Sequence, residues 1–475
     1  MSVYFALKVK LEKVMKMTKT AKKIKQEGIS DFKKHINLTQ TIFLKSVGLE
    51  VLEGKRLGVH LWDVDTQERY IDCFCSAGSF NVGRRNTEIV EALDAAIDHW
   101  GIGDGMFPSG PKAALAEKLA EIAPEGLGNV MFCSGGGEAN DSALKMARGA
   151  TGRKEVISFV KAYHGHTGFS LSAIGKPIYR DSFEPLIPGF THEPPMNDLE
   201  AVKRLAGADT AAIILELVQG EAGIFVAKQE FIEGLRKICD ERGIMLIFDE
   251  VQTGFGRTGK MFCCEHYGVT PDIMTTAKSL SGSVYPISAV IYNDLVRKFM
   301  ESNPDMIVST VGGGDLACVV GLKAIEFLQD NNIPRHAAEM GDYIGGAILK
   351  LVDKHKGLVK EVRRKGLMIG LEYTHDMMGP LMSFFLGTNG VMAIFSANNP
   401  KVMRLMPPIV INKEEADRLI SALDNSMASV KKSAKIVEAA SKIPLVGKAI
   451  GVQELQVFLI LIAKTIGKVI PKSGR

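Results

Sequence analysis

The amino-acid sequence predicts an α/β protein, a mostly parallel sheet covered by helices with a smaller α+β domain beside it. Three observations lead there. Between Asn86 and Arg335, short apolar runs at 129–133, 155–160, 211–217, 244–248, 273–276 and 287–292 alternate with helical patterns of about ten residues or more. The run 244–248 ends in two carboxylates, Asp249 and Glu250, and in an open parallel sheet the carboxyl ends of the strands face the ligand crevice. A Gly-rich turn (Gly135, Gly136 and Gly137) joins the run 129–133 to a helix expected to begin near Glu138.

In chain order, residues 2–18 space Tyr4, Leu7, Leu11 and Val14 helically with Lys8, Lys10, Lys13 and Lys16 between them, which predicts an amphipathic arm. Alternating apolar residues over 61–75, broken by the polar stretch 63–67, predict a small hairpin. The six apolar runs follow. Beyond Arg335 come a helix, a strand over 366–373, and a mixed segment that ends in a helix after Asn412. The expected division is a basic arm (1–45), the first part of a small domain (46–100), a large domain (101–335), the rest of the small domain (336–428) and a basic extension (429–475).

Hydrophobic residues make up 46% and charged residues 24%, the balance of a globular enzyme and not of a disordered chain. The net charge of +4 hides an asymmetry: residues 1–34 and 429–475 carry +7 each, which leaves −10 for the body. Nucleic acid is the weakest partner for these ends, because they are lysine-rich, no Arg precedes Arg56, and aromatics are not interleaved. The apolar stretch 455–463 stops at Lys464 after nine residues, short of the roughly 18–20 that cross a bilayer. No secretory signal is expected. Seven cysteines without paired spacing predict a reduced, cytoplasmic chain and no metal site. The ends are read as helices over a dimer face, or as a peripheral membrane or acidic-carrier contact.

The chemistry concentrates in two segments, IMLIFDEVQTGFGRTGK (244–260) and DIMTTAKSLSG (272–282). A lone acid after a strand can simply cap a turn, and a lone lysine there is usually solvated. Asp249 and Lys278 together, each directly after a buried strand, suit a pyridine cofactor. The carboxylate keeps a ring nitrogen protonated, and the amine forms a Schiff base and then moves a proton. Three successive glycines before a helix let backbone amides approach a phosphate.

These segments resemble the class III, or ornithine/acetylornithine/putrescine-type, aminotransferases of PLP fold type I, over about residues 57–427. The resemblance implies a seven-stranded, mostly parallel sheet in the large domain and pyridoxal 5′-phosphate (PLP) as cofactor. It implies that Lys278 bonds the aldehyde, Asp249 faces the pyridine nitrogen, Gln252 faces the ring 3-oxygen, and Tyr163 stacks on the ring. It also puts Glu216 near the cofactor and makes Glu221 a gate over Arg404, the carboxylate-binding residue. Thr310 would reach the phosphate of the neighbouring subunit's cofactor, which implies a homodimer with active sites at the interface. His164 receives no role.

Several positions depart from the family pattern. Ser134, Gly135, Gly136 and Gly137 stand where Asn-Ser-Gly-Thr/Ser is usual, so hydroxyls that hold phosphate are missing and weaker cofactor retention is expected. Leu217 replaces a Pro, Ile307 a frequent His, and Gly314 and Asp315 an Asn-Pro pair. The expected reaction moves an amino group between glutamate/2-oxoglutarate, or another donor, and a terminal amine or aldehyde, with a hydrophobic aldehyde as one candidate. The alternatives are decarboxylation, racemisation or amino-group shift on the same scaffold, or a non-catalytic PLP-binding protein.

Overall fold

The computed structural model describes residues 21–103 and 107–441, with side chains through 433. The amphipathic arm predicted at 2–18 and residues 442–475 of the extension predicted at 429–475 lie outside the described residues. The chain enters through helices α1 (Ala21–His35) and α2 (Leu38–Ser46); Asn37 caps the second by accepting the Gln40 amide at 2.9 Å. Strands β1 (Glu53–Leu57), β2 (His60–Asp63) and β3 (Arg69–Asp72) form an antiparallel meander. Its β2–β3 turn is the predicted hairpin, closed by Asp63 Oδ1 accepting the amides of Asp65 and Thr66.

The central sheet has seven strands. Along the chain they are β4 (Asn129–Cys133), β5 (Glu155–Ile157), β6 (Phe190–Thr191), β7 (Thr210–Leu215), β10 (Met245–Asp249), β11 (Ile273–Thr276) and β12 (Ser288–Tyr292), and their order in the sheet is β4-β12-β11-β10-β7-β5-β6. The intervening β8 (Val218–Gln219) and β9 (Phe225–Val226) pair as a separate hairpin. All contacts in the sheet are parallel except those of β12, which runs against β4 and β11. Every residue of β7, β10, β11 and β12 is buried, because helices cover both faces, and such strands read as unbroken apolar runs.

Two packed layers flank the sheet. On one face, helix α3 (Gly136–Thr151) lays Ala139, Ala143 and Ala147 against Ile214, Ile247 and Val290. Helix α4 (Asp315–Asp330) and helix α5 (Ile333–Lys354) bury Ile325 and Ile344 in the larger core on the other side. A second sheet, ordered β13-β14-β17-β16, follows: β13 (Val359–Lys365), β14 (Met368–Tyr373), β16 (Phe395–Ser396) and β17 (Asn399–Leu405), all antiparallel, while β15 (Val391–Met392) joins β3. The long α6 (Lys413–Ser441) packs back onto this part.

Several boundaries differ from expectation, three of them for a visible local reason. Helix α3 starts at Gly136, not near Glu138: Gly135 is its extended N-cap, and Glu138 in the first turn reaches back to accept the Ser134 amide at 2.8 Å. The run 155–160 is strand only to Ile157, since Lys161 adopts φ 64° and Ala162 donates to the Phe159 carbonyl in a turn. The run 366–373 begins pairing at Met368, because Gly366 (φ 55°) turns the chain out of β13, a strand with no apolar pattern in the sequence. All seven cysteines are unpaired and buried. Among the described residues no helix is long and apolar enough to cross a membrane.

Candidate active site

A cavity of about 570 Å³ opens at the carboxyl ends of β10 and β11. Adjacency of these two strands explains why residues 29 apart meet: Asp249 is the last residue of β10, opposite Thr275, and Lys278 lies two residues past the end of β11. Both line the cavity, as do Gly135, Gly136, Gly137, Tyr163, Glu216, Glu221 and Gln252. Lys278 opens a short 3-10 turn in the left-handed region (φ 42°), a conformation a non-glycine residue holds only when its surroundings fix it. Desolvation in the cavity lowers its ammonium pKa, opposed by the charges of Glu221, Asp249 and Glu216.

Asp249 is almost fully buried and takes three donors. Its Oδ1 accepts the Val251 amide at 3.0 Å, and its Oδ2 accepts Asn140 Nδ2 and His164 Nδ1, both at 2.8 Å. A carboxylate only accepts, so the His164 proton sits on Nδ1. Asn140 is itself fixed, donating to the His164 carbonyl at 2.7 Å and accepting the Thr275 hydroxyl at 2.7 Å. Neither residue has a role assigned from the sequence. Asn140 had a legible signal, a polar side chain on the alanine face of α3 that meets the sheet; His164 had none beyond its place next to Tyr163.

The Tyr163 ring faces the cavity from one side and meets His166 and Tyr179 edge-on, at centroid distances of 5.4 and 6.1 Å. Burial pushes its phenol up to about 12. Glu216, just past β7, accepts the Tyr163 amide on Oε1 at 2.8 Å and the Gly220 amide on Oε2 at 3.2 Å. Burial raises its carboxyl to about 7, with His164 pulling down and Asp249 pushing up.

Glu221 lies in the turn of the β8–β9 hairpin and pairs with Arg404 of β17 at 2.5 Å. Glu221 lines the cavity whereas Arg404 does not, so the carboxylate stands between the guanidinium and the open space. The backbone of this turn is clamped: the Glu221 carbonyl accepts the Ser396 hydroxyl and the Asn398 amide, and the Gly223 carbonyl accepts Arg363 Nε at 3.0 Å. Arg404 Nε is buried and unpaired.

Thr310 lies elsewhere. It is exposed, on the wall of a second cavity with Ser109, Phe132 and Val308. Asp315, at the unusual position, anchors that region by accepting the Ser109 hydroxyl at 2.5 Å and donating its amide to Ile102.

The donor set fits a phosphorylated pyridine. Gln252 donates to the Ala77 carbonyl at 2.9 Å but leaves its buried Oε1 without a partner, which a ring hydroxyl would supply. The N-terminus of the 16-residue α3 has no side-chain cap and opens on the cavity with amides suited to an anion. A β-carbon at Gly136 would come within 2.9 Å of Val251, so the cup is closed tightly there, whereas Gly135 faces open space. Among the described residues no group of three or more His, Cys, Asp or Glu is arranged to hold a metal ion.

An acid and a lysine at the ends of neighbouring strands, above a helix N-terminus, define a PLP fold type I enzyme. The family model "Aminotransferase class-III" matches residues 46–427, and the chain belongs to that family. It is 41% identical to an uncharacterized aminotransferase of Archaeoglobus fulgidus over 89% of this chain and 99% of that one. Among solved structures it is similar to the ornithine aminotransferase of Toxoplasma gondii ME49 (TM-score 0.80, 26% identity, 89% of this chain and 98% of that chain). It is also similar to an (S)-enantioselective omega-transaminase of Thermomicrobium roseum (TM-score 0.78, 29% identity, 87% and 99%). The protein is thus a PLP-dependent class III aminotransferase.

Proposed function

We propose that it moves an amino group between glutamate/2-oxoglutarate and a terminal amine or aldehyde. The observation that carries this is the Glu221–Arg404 pair at 2.5 Å above the Lys278 cavity. Paired, it presents a neutral wall to a substrate without an α-carboxylate; displaced, Glu221 releases a guanidinium whose planar fork binds a carboxylate. Bound PLP supplies the electron sink for the carbanion at the substrate carbon. Asp249, held by Asn140 and His164, would keep the ring nitrogen protonated, and Lys278, its ammonium made more acidic by desolvation, would hold the cofactor and move the proton. Gln252 would meet the ring 3-oxygen, Tyr163 the ring face, and the amides at Gly135–Gly137 the phosphate.

Glutamate added to holoenzyme should bleach the absorbance of the bound cofactor and release one equivalent of 2-oxoglutarate. Racemised or decarboxylated product without 2-oxoglutarate would instead support the other PLP reactions. The choice among amines, a hydrophobic aldehyde included, is open to a donor and acceptor screen.

The assembly we propose is a homodimer in which Thr310 serves the partner's phosphate site. Val308 lines the Thr310 cavity and is exposed, and Ile102, Phe107, Met306 and Val311, each next in sequence to a lining residue, are exposed too, an apolar surface of the kind partners cover. The division into arm, large domain and split small domain belongs to the same proposal. For the basic ends we propose a peripheral membrane contact, supported by their +7 charges. Deleting 443–475 should leave the PLP absorbance intact and reduce liposome co-sedimentation; equal co-sedimentation overturns it.

A further inference from the structure

We propose that Glu216 is a positioning residue that sets the gate, holding the backbone before Glu221 in register with the Tyr163 platform; this rests on the gate reading above. The two carboxylate oxygens are divided between the two segments. Oε1 takes the amide of Tyr163, whose ring faces the cavity, and Oε2 takes the amide of Gly220, the residue directly before Glu221. The contact pair is long-range on one side and local on the other: Tyr163 is 53 residues away and Gly220 four. One almost fully buried side chain therefore ties together two segments that share no strand, next to a second link in which Gln219 Nε2 donates to the Val160 carbonyl at 3.2 Å.

The other side of Gly220 is equally constrained. A β-carbon there would fall 1.6 Å from Gln252 Oε1, so the Gln252 amide rests directly on the glycine backbone. Gly220 is held between Glu216 at its amide and Gln252 at its α-carbon. Beyond it, the Glu221 carbonyl is tied to Ser396 and Asn398, which leaves the Glu221 side chain as the part of the gate free to turn. The ion pair with Arg404 depends on the position of that backbone, and the Glu216–Gly220 bond is its anchor on the side before Glu221, as Ser396, Asn398 and Arg363 are on the side after it.

Glutamine at 216 is nearly isosteric, but it offers one acceptor and an NH2 that opposes the second amide, so one of the two bonds is lost. The gate backbone then relaxes, Glu221 holds Arg404 less firmly, and an incoming dicarboxylate displaces it more easily. Glutarate is the probe, because it has neither an amino nor an oxo group and is not turned over. Calorimetry on holoenzyme compares wild type, Glu216→Gln, Glu221→Gln and the double variant. Removing the gate charge with Glu221→Gln should tighten glutarate binding about tenfold, and Glu216→Gln about three- to tenfold, the scale of one ordinary net hydrogen bond. The double variant should bind no tighter than Glu221→Gln alone, since Glu216 acts only through the gate. Unchanged glutarate affinity in Glu216→Gln, or additive effects in the double variant, overturns the proposal. If Glu221→Gln itself leaves glutarate binding unchanged, the gate reading falls and this proposal with it. Should Glu216→Gln not fold, Gly220→Ala displaces the same backbone from the Gln252 side. It should show the same tightening, absent again on the Glu221→Gln background; tightening that persists there overturns the proposal.

Discussion

Asn140 donates to Asp249 and to the His164 carbonyl, and accepts from Thr275, so one amide fixes the charge at the base of the cavity. Asn140→Ala leaves a buried hydroxyl and one carboxylate oxygen short of partners. A stability loss of about 1–3 kcal/mol is expected, read by urea titration, together with a lower kcat. Glu250 makes a different case. Burial raises its carboxyl to about 7 although it accepts the Cys264 amide at 2.7 Å. The folded state thus keeps a proton that the unfolded chain releases near 4.5, and stability falls as pH rises from there to about 7. Glu250→Gln can keep both partners, because the Thr253 hydroxyl can turn to accept. Its melting temperature should fall less than that of wild type between pH 5 and 7.5, and parallel curves would refute the assignment. Asp249, Lys278 and the Glu221–Arg404 pair were legible because each ends or follows a recognisable strand or motif. Partners such as His164, 85 residues from Asp249, come together only through the fold.

At the scale of elements, the buried strands were readable and the edge was not. β7 is apolar after Thr210 and β10 up to Asp249 because both faces are covered, whereas β13 reads VKEVRRK and pairs along the sheet edge through its backbone. Its charges are satisfied locally, Arg363 by Glu372 at 2.7 Å, so no hydrophobic period marks it. The α3 terminus offers a direct test of the missing hydroxyl. Gly135 has an extended backbone (φ −157°) that any residue adopts, and a β-carbon there meets nothing within 4 Å. Gly135→Ser should therefore fold normally and slow PLP dissociation by about threefold or more, as expected for one added hydrogen bond to phosphate. An unchanged off-rate, followed by transfer of PLP to an acceptor apoenzyme, would show that backbone amides already saturate the anion.

For the whole molecule, the proposed dimer makes a prediction that mixing can check. Lys278→Ala should lack cofactor-dependent activity, and Thr310→Ala should retain it weakly. In a hybrid of the two, one site combines an intact Lys278 with an intact Thr310 from the other subunit. Co-refolded mixtures should then exceed the activity of either parent, whereas a Thr310 acting within its own chain gives no recovery. Arg257 joins distant parts of each protomer: fully buried, it donates to Asn81 at 3.0 Å and to the carbonyls of Leu367 and Pro407. Arg257→Ala strands these acceptors and should cost at least about 3 kcal/mol.

The seven buried thiols have a practical consequence. They are spread over the chain from Cys73 to Cys318, and burial raises the pKa of each above its ordinary value, which keeps them as unreactive thiols. The native protein should be nearly silent to a thiol-specific label and the denatured protein should count seven. Mass-resolved labelling during slow denaturation would then date the opening of each region by its own cysteine, with no probe introduced into the molecule.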